Sequence, residues 1–73
     1  MARLPVLKPR QVVSLLVARD FVCVRQRGSH MQFRHADGRA TTVPDHAGRD
    51  ISPSLLRKIA HDIGLTPEEL IGG

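Results

Sequence analysis

Arg25-Gln26-Arg27-Gly28-Ser29-His30, followed by Val43-Pro44-Asp45-His46, is where side chains in this chain are spaced to do chemistry. An imidazole follows a tight Gly-Ser turn, arginines precede it, and a second histidine lies downstream. Histidine titrates near neutral pH, so His30 can take or give a proton there. Arg25, Arg27 and Arg34 supply fixed positive charge that attracts phosphate. Ser29 adds a hydroxyl that can bond a phosphate oxygen.

Metal chemistry finds little support in the spacing. The four histidines do not follow the spacing of a closed zinc site, and no carboxylate lies close to His30 in sequence. Cys23 is the single cysteine, so no internal disulfide framework exists and no triad partner surrounds it. No glycine-rich phosphate loop is present, and no cofactor is implied.

The elements that must position these residues are short. Residues 1–8 read as an extended lead-in. Pro9 suits the first turn of a helix placed at 9–19, with Val12, Val13, Leu15 and Leu16 on one side. Phe21–Arg27 and His30–His35 read as strands, joined by Gly28-Ser29 as a two-residue hairpin turn with glycine first. Ala40–Pro44 is a third strand. Ser52 caps a second helix that opens on Pro53 and ends at Gly64. Thr66-Pro67-Glu68-Glu69 carries a capping box that starts a short terminal helix. The order predicts a two-layer α+β fold, α-β-β-β-α, with helices on one face of a three-stranded antiparallel sheet.

The hairpin turn predicts a register: Arg27 opposite His30, Arg25 opposite Gln32, Cys23 opposite Arg34. Opposed residues share a face. Val22, Val24, Gln26, Met31, Phe33 and His35 then face the helices. Cys23, Arg25, Arg27, His30, Gln32 and Arg34 form a polar cationic face. A two-residue Asp37-Gly38 loop would turn Val43 to that polar face, so a longer loop or a bulge is expected there.

Seventy-three residues make one small domain with a modest core. The net charge of +4 is uneven: residues 1–44 hold eight Lys/Arg and two Asp, residues 45–73 three Lys/Arg and five Asp/Glu. That basic first part implies a polyanion or an acidic protein as partner. Phe21 and Phe33 are the only aromatics, which argues against a base-stacking platform. No segment approaches the roughly 20 apolar residues needed to span a bilayer. Neither a signal peptide nor a membrane anchor is read, and a single cysteine fits a reducing cytoplasm.

From Lys8 to Leu70 the chain resembles the HicA toxin family of bacterial toxin–antitoxin systems. The resemblance rests on Val24-Arg25-Gln26-Arg27-Gly28-Ser29-His30, Phe33-Arg34-His35, Asp37-Gly38-Arg39, Val43-Pro44 with His46, and Leu55-Leu56-Arg57-Lys58-Ile59. It implies a fold like the double-stranded-RNA-binding domain and a metal-independent ribonuclease that cleaves mRNA. It implies neutralisation by a HicB-like antitoxin, in a toxin–antitoxin hetero-oligomer, and it places the catalytic histidine at His30. Two departures stand out. Asp20 precedes Phe21 where relatives usually carry glycine, and Pro53-Ser54 opens the second helix where they commonly carry Gly-Thr.

RNA cleavage without metal needs a deprotonated 2′-OH, a stabilised phosphorane and a protonated leaving oxygen. His30 suits either proton step, with His46 as a second acid–base group or a loop cap. Arg25, Arg27 and Arg34 suit the phosphorane charge, with Ser29 and Gln32 as further RNA-binding candidates. The plain alternative for His30 is a surface histidine that only supports its turn. Two other functions compete: a non-catalytic double-stranded-RNA-binding module and a regulatory interaction module of the same fold. His35 reads as a core or rim histidine, and His61 as an exposed one.

Overall fold

A computed structural model describes residues 3–72, so Met1 and Ala2 of the predicted lead-in lie outside the described residues. The elements are α1 (Pro9–Val17), β1 (Val22–Arg27), β2 (His30–Arg34), β3 (Ala40–Pro44), α2 (Pro53–Asp62) and α3 (Pro67–Gly72). The strands form one antiparallel sheet in the order β1-β2-β3. The helices cover one of its faces, as expected of a fold like the double-stranded-RNA-binding domain.

Each helix is delimited by local chemistry. The Ser52 side chain accepts from the Leu55 N–H at 3.2 Å, and Pro53 opens α2. Thr66 and Glu69 cap α3 reciprocally: the Thr66 N–H donates to Glu69 Oε1 at 2.8 Å, and the Glu69 N–H to Thr66 Oγ1 at 3.1 Å. α1 stops two residues before the predicted Arg19, in a six-to-one closure. The Phe21 N–H donates to the Leu16 carbonyl and the Asp20 N–H to that of Val17. Asp20 stands at φ 68, the left-handed position of that closure. Gly64 ends α2 by the same pattern at φ 76, with the Leu65 N–H on the Ala60 carbonyl. The position before Phe21 thus has the geometry that favours glycine, and Asp20 holds the turn under strain.

The core gathers Val12 and Leu16 from α1, Phe33 and Val43 from the sheet, Leu56 and Ile59 from α2 with Ile63 just after it, and Leu70 from α3. Phe21 and Ile51, outside these elements, are buried in the same cluster. Val13 and Leu15 flank it half-buried. Thr41, buried on the same face, donates to Asp62 Oδ2 at 3.0 Å, so its hydroxyl is satisfied.

β2 and β3 pair His30↔Pro44, Met31↔Val43, Gln32↔Thr42, Phe33↔Thr41 and Arg34↔Ala40. The connection is five residues, 35–39, which seats Val43 in the core, as the argument against a two-residue loop requires. The His35 N–H closes it on the Arg39 carbonyl at 2.8 Å. Asp37 grips Arg39 through the Arg39 N–H at 3.0 Å and Nε at 2.8 Å. Arg39 in turn donates to the Ile63 carbonyl at 2.7 Å and lies 5.2 Å over the Phe21 ring. His35 packs on the same ring, centroids 5.1 Å apart, and is half-buried as a rim histidine.

The β1–β2 register agrees with expectation at Arg27↔His30 and Arg25↔Gln32 and departs from it beyond. A bulge at Val24 shifts the pairing to Cys23↔Phe33 and Val22↔Arg34, in place of Cys23 opposite Arg34. Val22 therefore moves off the helix-facing side and Cys23 joins Phe33's side. Val22 is 62% and Val24 56% exposed, so neither belongs to the core. All of β1, Gln26 included, is exposed, because the helices lie over β3 and β2 and leave β1 uncovered.

Two expectations follow. Asp20→Gly relieves the left-handed strain and raises stability by about 1 kcal/mol, a gain of roughly 4–8 °C in thermal unfolding. The second concerns acid. N–H donation from Arg39 holds the Asp37 carboxyl below its ordinary 3.8, and N–H donation from Thr66 holds Glu69 below its ordinary 4.5. With folded-state values depressed, their stabilisation is complete above the ordinary values and is lost as pH falls through the lowered ones. Asp37→Asn combined with Glu69→Gln should flatten the pH dependence of unfolding between about pH 5 and pH 3.

Candidate active site and nucleic-acid interface

The Gly28-Ser29 turn is built by a glycine at φ 54, with Gln26 Nε2 donating to the Gly28 carbonyl at 3.2 Å. It places His30 as the first residue of β2, between Arg27 on β1 and Pro44 on β3. Because Pro44 lies opposite His30, the chain leaving β3 passes the same turn. The Asp45 N–H donates to the Ser29 carbonyl and fixes that passage. One residue further, His46 Nε2 lies 3.3 Å from Ser29 Oγ, either partner donating according to the tautomer. The His30 and His46 rings meet edge to face, centroids 5.8 Å apart. Two histidines sixteen positions apart thus converge through one strand pairing.

The helix-free face of the sheet carries the rest. Its rows run Arg27–His30–Pro44, Arg25–Gln32–Thr42 and Val22–Arg34–Ala40. Arg25, Arg27, His30, Gln32, Arg34 and His46 are exposed, and Ser29 is half-buried. Among the described residues, none of these three guanidiniums takes part in an ion pair. Arg25, Arg27, Ser29, His30, Gln32, Arg34 and His46 all fall on this face or its rim, whereas His35 packs on Phe21 and His61 lies on α2. His30, Ser29 and His46 form one cluster with Arg27 beside it, while Arg25, Gln32 and Arg34 extend away along the sheet. Cys23 is exposed on β1, its thiol donating to the Arg25 carbonyl at 3.5 Å. No group of three His, Cys, Asp or Glu side chains able to hold a metal ion occurs among the described residues.

A second polar feature adjoins His46. A cleft of about 580 Å³ opens between the start of α1 and the loop 45–49, lined by Lys8, Pro9, Arg10, Asp45, His46, Ala47, Gly48 and Arg49. Its walls are tied by the Leu7↔Ile51 bridge and by Lys8 Nζ on Asp50 Oδ1 at 2.7 Å. Nothing in the sequence alone points to a role for Lys8, Arg10, Asp45 and Arg49. The one local signal was the density of charge around Gly48.

Residues 9–65 match a model of the family described as HicA toxin of bacterial toxin-antitoxin. The chain belongs to the HicA toxin family. It is therefore a toxin of a toxin–antitoxin system, and the matched span holds every residue of the two-histidine cluster. No curated protein matches the chain. Among the described residues of this HicA toxin, no helix is long and apolar enough to cross a membrane.

Ser29→Ala removes the hydroxyl beside His46. The ¹⁵N shifts of the His46 ring should then move towards the tautomer average of a free imidazole, with the Arg27–His30 hairpin amides unchanged. An unaltered His46 spectrum would mean that the hydroxyl does not orient the ring.

Proposed function

We propose that this toxin is a metal-independent endoribonuclease acting on mRNA, with His30 and His46 as its acid–base pair and a HicB-like antitoxin as its inhibitor. The convergence of the two imidazoles on one end of an arginine-bearing face carries the reading. Hydrogen-bond reach is about 3 Å, so rings 5.8 Å apart can both address one phosphodiester.

In the proposed reaction one imidazole, neutral, takes the proton of the 2′-OH. The 2′-oxygen bonds to phosphorus as the bond from phosphorus to the 5′-oxygen breaks. The other imidazole, protonated, gives its proton to that leaving oxygen. A 2′,3′-cyclic phosphate and a free 5′-OH result, and the two histidines exchange protonation states. Arg27, opposite His30, is the nearest fixed charge for the phosphorane. Arg25, Arg34 and Gln32 bind the RNA strand along the sheet, and Ser29 holds His46. DNA lacks the 2′-OH and is not a substrate. An antitoxin inhibits by covering the cationic face or the cluster.

Induced expression of wild type should arrest growth with loss of full-length mRNA. Purified protein should cleave RNA with a bell-shaped pH profile. His30→Ala and His46→Ala, shown folded by circular dichroism, should each lose about 10²–10⁴ in rate. His46→Ala should also lose one limb of the bell. A folded His30→Ala protein that remains equally toxic and active would remove His30 from the chemistry. RNA binding without cleavage by the wild type would favour the binding-module alternative.

A further inference from the structure

The cleft beside His46 shares a wall with the proposed reaction centre, and that adjacency assigns it an occupant. The geometry points to the cleft as the seat of the nucleotide next to the scissile phosphate, with Arg10 and Arg49 meeting that nucleotide's outer phosphate. The inference rests on the ribonuclease reading, since it takes the scissile phosphate to lie between His30 and His46.

Three observations carry it. His46 lines the cleft and also stands 5.8 Å from His30, so a strand leaving the two rings on the His46 side enters the cleft directly. The cleft, about 580 Å³, falls within the size range of small-molecule sites and is ample for one nucleotide. Its charges are not equivalent. Lys8 is held by Asp50, whereas Arg10 and Arg49 have no ion-pair partner among the described residues. Two free guanidiniums on one concavity suit a phosphate better than an ammonium would.

Asp45 gives the site its class of ligand. A carboxylate within the cleft repels a bare phosphate but accepts from a ribose hydroxyl or a base amine. The pocket therefore fits a whole nucleotide rather than a free anion. The α1 N-terminus contributes little: Pro9 has no N–H, and the Lys8 N–H is taken by Gln11 Oε1 at 2.7 Å. Recognition falls to side chains. The cleft is also preformed, because the Ile51 N–H on the Leu7 carbonyl, at 2.7 Å, joins its two walls.

The test is anisotropy titration of labelled 2′-O-methyl oligonucleotides, which cannot be cleaved through the 2′-oxygen. A minimal dinucleotide is compared with versions extended by one nucleotide on the 5′ or the 3′ side. The proteins are wild type, the double variant Arg10→Ala with Arg49→Ala, and the corresponding Arg→Lys pair. Cleavage of the matching 2′-hydroxyl RNAs is measured in parallel.

The alanine pair should bind one extended oligonucleotide at least tenfold more weakly than wild type and bind the dinucleotide unchanged. The steepness of its salt dependence on the extended oligonucleotide should fall by about 0.7, the loss of one phosphate contact. The lysine pair should recover charge but only part of the affinity. Unchanged binding of both extended forms would overturn the inference. So would an equal loss on the dinucleotide, since that is diffuse charge rather than a seat for a neighbour. If wild type cleaves nothing while the alanine pair still loses the extended form, the ribonuclease reading falls and the cleft stands as a nucleotide site.

Discussion

The pairing of His30 with Pro44 is the constraint on which the rest depends. Strand side chains alternate, so a slip of one residue between β2 and β3 would expose Val43 and Thr41 and bury polar neighbours. The same slip would carry His46 away from Ser29. One register therefore sets both the buried face and the reactive cluster. It is enforced at the opposite end of the hairpin, by the five-residue loop that Asp37 and Arg39 brace. Arg39 ties that loop to the last turn of α2 through the Ile63 carbonyl and covers Phe21. A motif at the far end of the strands from His30 thereby positions the site without touching it.

The two faces of the sheet divide the work unequally among the strands. β3 and β2 supply the buried side chains, and β1 supplies none. A six-residue edge strand with open backbone is a template for unwanted pairing. Here Arg25 and Arg27 discourage it by charge, and the bulge at Val24 breaks the regular ladder. The guanidiniums that protect the edge are those placed for a polyanion. In the proposed reading, edge protection and RNA binding draw on the same side chains.

What the sequence disclosed follows from what is local. The Gly28-Ser29 turn, the Ser52 cap with Pro53, the Thr66–Glu69 box and Gly64 as a stop are encoded within a few residues, and each stands in the structure as read. The first failure is at Val24. Its bulge has no glycine or proline to announce it, and Val22 and Val24 suit an alternating strand equally well. Their assignment to the core also assumed helices spread over the whole sheet, which no local pattern can decide. The pairing of His30 with His46 was half legible. The residues were evident, but their distance depends on the loop length at 35–39. Beyond the density of charge around Gly48 the cleft was not legible, because Leu7 and Ile51 bring together segments more than forty positions apart.

Charge accounts for why such a face is tolerable in so small a fold. Among the described residues Arg25, Arg27 and Arg34 have no carboxylate partner, while the carboxylates of Asp37, Asp62 and Asp50 are bound to structural donors. Cations that repel one another on one face cost the folded state some stability. In the proposed reading, that cost is relieved only by an external polyanion or by an acidic surface of the antitoxin. RNA and inhibitor then compete for the same three arginines, and neither leaves them unpaired when bound. Pairing them internally would make a more stable domain and would remove the field that draws a phosphodiester towards His30. The arrangement that makes the domain marginal alone is the one that ties its stability to whichever partner it holds.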